Sequence, residues 1–163
     1  MFNWILRLFQ RKKITVATGG GFDPLHEGHI RLFKEAKKLG DVLVVMLNSD
    51  TQLRQKKGST FYLSENERKE IVESIRYVDK VIIDPGPDIT CEAALRLIKP
   101  DILAKGGDRT PSNMAQIEID VCKEIGCKII YNVGGEKVQS SSWLLKRIKE
   151  ADNNQIQENK VKH

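Results

Sequence analysis

The sequence predicts a doubly wound, mostly parallel five-stranded α/β sheet with helices on both faces. Three observations lead there. Short apolar runs alternate with stretches of helical periodicity, the first run breaks off at Gly19-Gly20-Gly21, and Val42-Leu-Val-Val-Met-Leu47 is apolar without interruption. Alternation of this kind builds parallel strands joined by crossover helices, and a wholly apolar run suits a strand covered on both faces. Glycine then marks where the chain turns closely on itself.

Taken in order, Ile14 to Thr18 reads as the first strand. His29 to Leu39 is the first helix, since Ile30, Leu32, Phe33, Ala36 and Leu39 keep helical spacing and Gly40 stands at its stop. Val42 to Leu47 is the second strand. Asn48 to Leu63 is polar and is expected to be a long surface loop. Ser64 and Glu67 form a capping box for a helix to about Ile75. Val78 to Ile83 is a strand ended by Pro85-Gly-Pro87, Ile89 to Ile98 a helix, and Asp101 to Ala104 a strand. Ala115 to Ile125 is a helix, Lys128 to Tyr131 the fifth strand, and Ser140 to Ile148 a last helix opening on three serines, which are good N-caps.

Composition narrows the function. With 163 residues and 40% hydrophobic content, one core and one domain are expected, over residues 14–150. Residues 151–163 form a polar tail expected to be disordered. The net charge is +5, but Arg7, Arg11, Lys12 and Lys13 lie in residues 1–13 with no acid among them. The body is therefore nearly neutral, which argues against nucleic acid as a partner. Cys91, Cys122 and Cys127 fit neither a disulfide framework nor a zinc site, so a reducing cytoplasm is expected. No apolar run is long enough to span a bilayer. Phe2, Ile5, Leu6 and Phe9 make an amphipathic stripe without the marks of a signal peptide. That stripe is expected to pack on its own domain or on a second copy in a homo-oligomer rather than on a membrane.

The chemistry concentrates after the first strand, in Thr18-Gly-Gly-Gly-Phe-Asp-Pro-Leu-His-Glu-Gly-His-Ile30. Glycines admit phosphates close to the backbone, a helix start offers unpaired N–H groups, and the imidazoles of His26 and His29 can donate to phosphate oxygens. As metal ligands the two histidines lack partners at a ligand spacing, so no protein metal site is expected. His163 falls in the tail and is read as inert.

This stretch resembles the Gly-x-Phe-Asp-x-x-His-x-Gly-His mark of the cytidylyltransferase-like nucleotidyltransferases, which have a Rossmann-like fold. Three later stretches resemble the same family in the same order. Glu67 to Asp79, ending Ile-Arg-Tyr-Val-Asp, is similar to a helix of glycerol-3-phosphate and choline-phosphate cytidylyltransferases. Lys105-Gly-Gly-Asp108 is similar to a stretch of heptose-phosphate adenylyltransferases. Ser140-Ser-Ser-Trp-Leu-Leu-Lys-Arg-Ile148 is similar to the serine/threonine run of the same enzymes. The resemblance implies catalytic roles for His26, His29 and Lys105. It implies nucleotide contacts from Gly20, Gly21, Phe22, Asp23, Gly28, Gly106, Asp108, Ser140, Ser141 and Ser142. Further substrate or phosphate contacts would come from Lys56, Lys57, Arg68 and Arg76.

The implied reaction moves AMP from ATP to a phosphorylated, sugar-like acceptor and releases pyrophosphate. Mg²⁺ would travel with the nucleotide, with Asp23 a candidate to orient it or the acceptor. The alternative is a CTP-dependent enzyme acting on glycerol 3-phosphate or a related phospho-alcohol. Against it, the Arg-Thr-Glu-Gly that precedes the serine/threonine run in the glycerol-phosphate enzymes is replaced by Gly135-Glu-Lys-Val-Gln139. A catalytically silent nucleotide-binding module is the reading from another class.

Overall fold

The computed structural model describes residues 11–57, 62–107, 109–136, 139–148 and 150–151. Its elements are β1 (Thr15–Gly20), α1 (Glu27–Lys37), β2 (Val42–Leu47), α2 (Asp50–Lys57), α3 (Glu65–Glu73), β3 (Lys80–Ile83), α4 (Glu92–Ile98), β4 (Ile102–Gly106), α5 (Gln116–Ile125) and β5 (Lys128–Val133). A 3-10 turn, Pro111–Asn113, precedes α5, and a last helix, α6, covers residues 141–148. All neighbouring strands are parallel, in the order β3-β2-β1-β4-β5.

Strand side chains alternate between faces, and this divides the core in two. On one face Val16, Val45 and Val81 pack with Phe33 of α1 and Val72 of α3. On the other Ala17, Met46 and Leu103 pack with Leu95 of α4 and Val121 of α5. The amino ends of the strands are fastened by carboxylates. Asp41 accepts from Ile14 N–H and pairs with Arg11; Asp101 accepts from Thr15 N–H and pairs with Lys12. Part of the basic segment thus pairs with acids of the body. The stripe Phe2, Ile5, Leu6 and Phe9 and most of the polar tail lie outside the described residues.

The predicted order of strands and helices matches the observed one, with one addition. The segment expected to be a loop contains α2, started by Ser49, whose carbonyl and hydroxyl accept from Leu53 and Gln52 N–H. Its inner face is the buried pair Gln52 and Leu53. One apolar residue and one glutamine leave no helical stripe to read. β4 also runs two residues further than expected, which makes Lys105 and Gly106 strand residues.

Candidate active site

A cavity of about 670 Å³ opens at the carboxyl ends of β1, β4 and β5, facing the first turns of α1 and α6. β1 has β2 on one side and β4 on the other, and the helices after them pack on opposite faces. In doubly wound sheets the chain parts at such a point and leaves a crevice for a ligand.

The loop from β1 to α1 is held from several sides. Gly21 packs against α2: a Cβ there would lie 2.5 Å from Leu53 Cδ1, so the Leu53 side chain would have to shift to admit one. Phe22 follows in the left-handed region, φ 50°, with its ring buried against Phe33 and meeting His29 edge-on. The Asp23 carboxylate is buried and accepts from the N–H groups of Tyr62 and Leu63. These bonds tie it into the loop. Arg68, with a fully buried side chain, donates to the carbonyls of Leu63, Gly21 and Asn48 and pairs with Asp50.

His26 is the N-cap of α1 and His29 lies in its first turn. Their rings stack with centroids 3.6 Å apart, and His26 N–H donates to His29 Nδ1 at 3.3 Å. With Nδ1 accepting, the neutral His29 ring carries its proton on Nε2, which makes that atom a donor. Gly28 lies beside the pair, and a Cβ there would sit 3.1 Å from the His26 ring.

On the opposite wall Lys105 leaves β4 and meets Glu118 of α5, with Nζ 2.6 Å from Oε2. The other carboxylate oxygen accepts from Cys91 N–H at 3.3 Å and from its thiol at 3.1 Å. Burial works to lower the Lys105 pKa, but its interactions with the Cys91 sulfur and the Glu118 carboxylate, and the hydrogen bond to Glu118, outweigh it, and the ammonium stands above its ordinary value. Glu118 shows the converse: burial works to raise its pKa, and Lys105 with the hydrogen bonds brings it below the ordinary carboxylate value. Burial pushes the Cys91 thiol up, so it stays protonated, and Glu118 is the charge that holds Lys105. Beyond Lys105, a Cβ on Gly107 would lie 2.0 Å from the Gly135 carbonyl oxygen.

The third wall is the start of α6. Ser140 Oγ accepts from Trp143 N–H at 3.2 Å and lies 3.0 Å from Ser142 Oγ, while Ser141 Oγ donates to the Pro24 carbonyl at 2.9 Å. Ser140 therefore caps the helix and Ser141 ties it to the glycine loop.

The structure brings most of the predicted residues to one cavity. Gly20, Gly21, Phe22, Asp23, His26, Gly28 and His29 line it from β1 and α1. Lys56, Lys105, Gly106, Ser140, Ser141 and Ser142 line it from the other elements. Two of the expected contacts lie away from the cavity lining. Arg68 does not line the cavity, because its donors are taken up by backbone carbonyls and Asp50 behind the glycine loop. Arg76 lies outside the cavity, exposed, with its guanidinium 4.9 Å from the Tyr77 ring centroid. Asp108 and the side chain of Lys57 fall outside the described residues. Cys91 and Glu118 went unforeseen. Glu118 carried a signal, since it shares the i, i+3, i+4, i+7 face of α5 with Val121, Cys122 and Ile125, an acid in an apolar stripe.

A crevice at the parting of a parallel sheet, with paired imidazoles at one helix start and a buried lysine opposite, is a site suited to the phosphate groups of a ligand. The chain belongs to the cytidylyltransferase-like family, whose sequence model matches residues 17–158. A FAD synthase of Thermococcus sibiricus is 40% identical over 121 residues, 74% of this chain and 81% of that protein. The bifunctional protein HldE of Desulfatibacillum aliphaticivorans is 38% identical over 133 residues, 81% of this chain but 26% of that protein. The chain thus spans about a quarter of the HldE relative. Among solved structures, the lipopolysaccharide core biosynthesis protein of Thermoplasma volcanium superposes with a TM-score of 0.63 at 34% identity, covering 73% of this chain and 95% of that one.

Proposed function

We propose that this protein transfers AMP from ATP to the phosphate of a sugar-like acceptor, with release of pyrophosphate. The observation that carries the reading is the placing of His26, His29 and Lys105 on facing walls of one cavity that the glycine loop floors. An acceptor phosphate oxygen attacks the α-phosphorus in line, the P–O bond to the β-phosphate breaks, and its electrons leave on pyrophosphate. Catalysis of this kind is positioning and charge neutralisation. His29 Nε2–H and the His26 ring are the donors for the non-bridging oxygens. Lys105 and the α6 start serve the remaining phosphates.

Among the described residues no group of three or more His, Cys, Asp and Glu side chains could hold a metal ion. The two backbone bonds to Asp23 likewise suit a loop anchor better than a metal ligand. That donor set fits Mg²⁺ bound chiefly by nucleotide oxygens and water, where it would neutralise phosphate charge.

For the base, the resemblance of Lys105-Gly-Gly-Asp108 to adenylyltransferases supports ATP, as does similarity to a FAD synthase, whose product by name contains adenine. The same relative favours a second acceptor, a flavin phosphate. CTP with a phospho-alcohol is the other arm, favoured by Lys56 at the cavity. The deciding experiment measures pyrophosphate release for ATP and CTP crossed with sugar phosphates, glycerol 3-phosphate and flavin mononucleotide. Turnover with ATP and a sugar phosphate is expected. Higher kcat/KM with CTP, or with the flavin, replaces the first reading.

A further inference from the structure

We infer that Glu118 is a positioning residue for Lys105, holding its ammonium at the cavity wall and keeping it charged there. The inference rests on the nucleotidyl-transfer reading for its purpose, though not for its test. Both side chains are about nine-tenths buried, at 11% and 10% exposure. A lysine alone at such depth tends to lose its proton, because burial penalises the charged form. A neutral amine would be a poor partner for a triphosphate.

The carboxylate is itself held. Oε2 takes Lys105 Nζ, while Oε1 takes the N–H and thiol of Cys91, the N-cap of α4. Glu118 therefore spans the end of β4 and the first turns of α4 and α5, and cannot rotate without breaking bonds at both oxygens. An ammonium carries three donors, and this anchor fixes the direction of one. Both side chains line the cavity. The groups acting on Lys105 are Cys91 from α4, Glu118 from α5 and Arg109 from the segment after β4; Asp84, after β3, acts on Cys91. Of these only Glu118 is a carboxylate in contact with Nζ.

The test is an NMR titration of isotope-labelled lysine side chains in the whole protein, with Lys105 assigned through Lys105→Arg. In the wild type Lys105 should titrate at or above the ordinary lysine value of about 10.4. In Glu118→Gln it should titrate at least about one unit lower, and in Glu118→Asp in between. With active enzyme, the loss of kcat/KM in Glu118→Gln should be greater at pH 10 than at pH 6.5, by about threefold for a one-unit fall from 10.4, since deprotonation then removes the charge. A merely structural role would lower activity equally at both. Unchanged titration in Glu118→Gln overturns the inference. Should that variant not fold, a wild-type Lys105 that titrates well below the ordinary value overturns it as well. The titration needs no substrate. A wild type inactive with every nucleotide and acceptor would sink the proposed function and leave this result standing.

Discussion

Arg68 Nη1 donates to the carbonyl of Gly21 at 2.9 Å, across 47 residues of sequence. The same atom reaches Asn48 O at 2.8 Å, and Nη2 pairs with Asp50 at 2.7 Å, so one guanidinium joins α3, the exit of β2 and the glycine loop. Removing a buried donor leaves several carbonyls without partners, a loss of about 2–4 kcal/mol. Arg68→Met should show that loss in urea denaturation, with a raised KM for the nucleotide. Arg68→Lys should not restore it, because an ammonium lacks the planar fork. Wild-type stability in either variant would refute the latch.

His29→Ala should lower kcat by about 10²-fold or more, the usual cost of one preorganised donor to developing charge. The accepting Nδ1 also fixes the start of α1, so circular dichroism must accompany the kinetics. A folded variant with more than a third of wild-type turnover removes His29 from the mechanism.

Gly107→Ala places a Cβ 2.0 Å from the Gly135 carbonyl oxygen, which forces the exits of β4 and β5 apart. Overpacking of this kind costs about 1–3 kcal/mol. The expected result is a lower Tm together with weaker nucleotide binding by calorimetry. An unchanged Tm would mean that the two loops yield without cost.

Acid should loosen the amino ends of the strands. Lys12 and the Thr15 N–H hold the Asp101 pKa below its ordinary 3.8, and the Ile14 N–H, with Arg11, does the same for Asp41. A depressed carboxylate pKa gives stability that is present above the unfolded value and lost as pH falls through the folded one. Asp101→Asn should therefore lower Tm at pH 7, and its curve should converge on the wild type as the pH falls below 3.8 and through the depressed folded value. Parallel curves down to pH 2 would exclude Asp101 from the acid transition.

The alternation of strands and helices was legible because each element carries its own periodicity: Val42 to Leu47 for a covered strand, Leu32, Phe33 and Ala36 for a helix face. The glycine loop and histidine pair were legible because their spacing is local. Arg68 is the opposite case: the resemblance implies a substrate or phosphate contact, whereas the partners the structure gives it, Gly21 and Asn48, meet it only once β1, β2 and α3 have packed. Glu118 and Cys91 likewise converge on Lys105 from 13 and 14 residues away, a distance that no motif spans.

Pairing along the sheet is uneven. β1 matches β2 over six residue pairs, from Thr15↔Val42 to Gly20↔Leu47, but meets β4 over two, Val16↔Ile102 and Ala17↔Leu103. The least-stitched seam of the molecule thus runs directly beneath the crevice. A ligand touching both β1 and β4 would act as a suture there, adding bonds where the sheet has fewest. Occupancy and cohesion are then one property: whatever fills the cavity best also holds the two halves of the protein together most firmly.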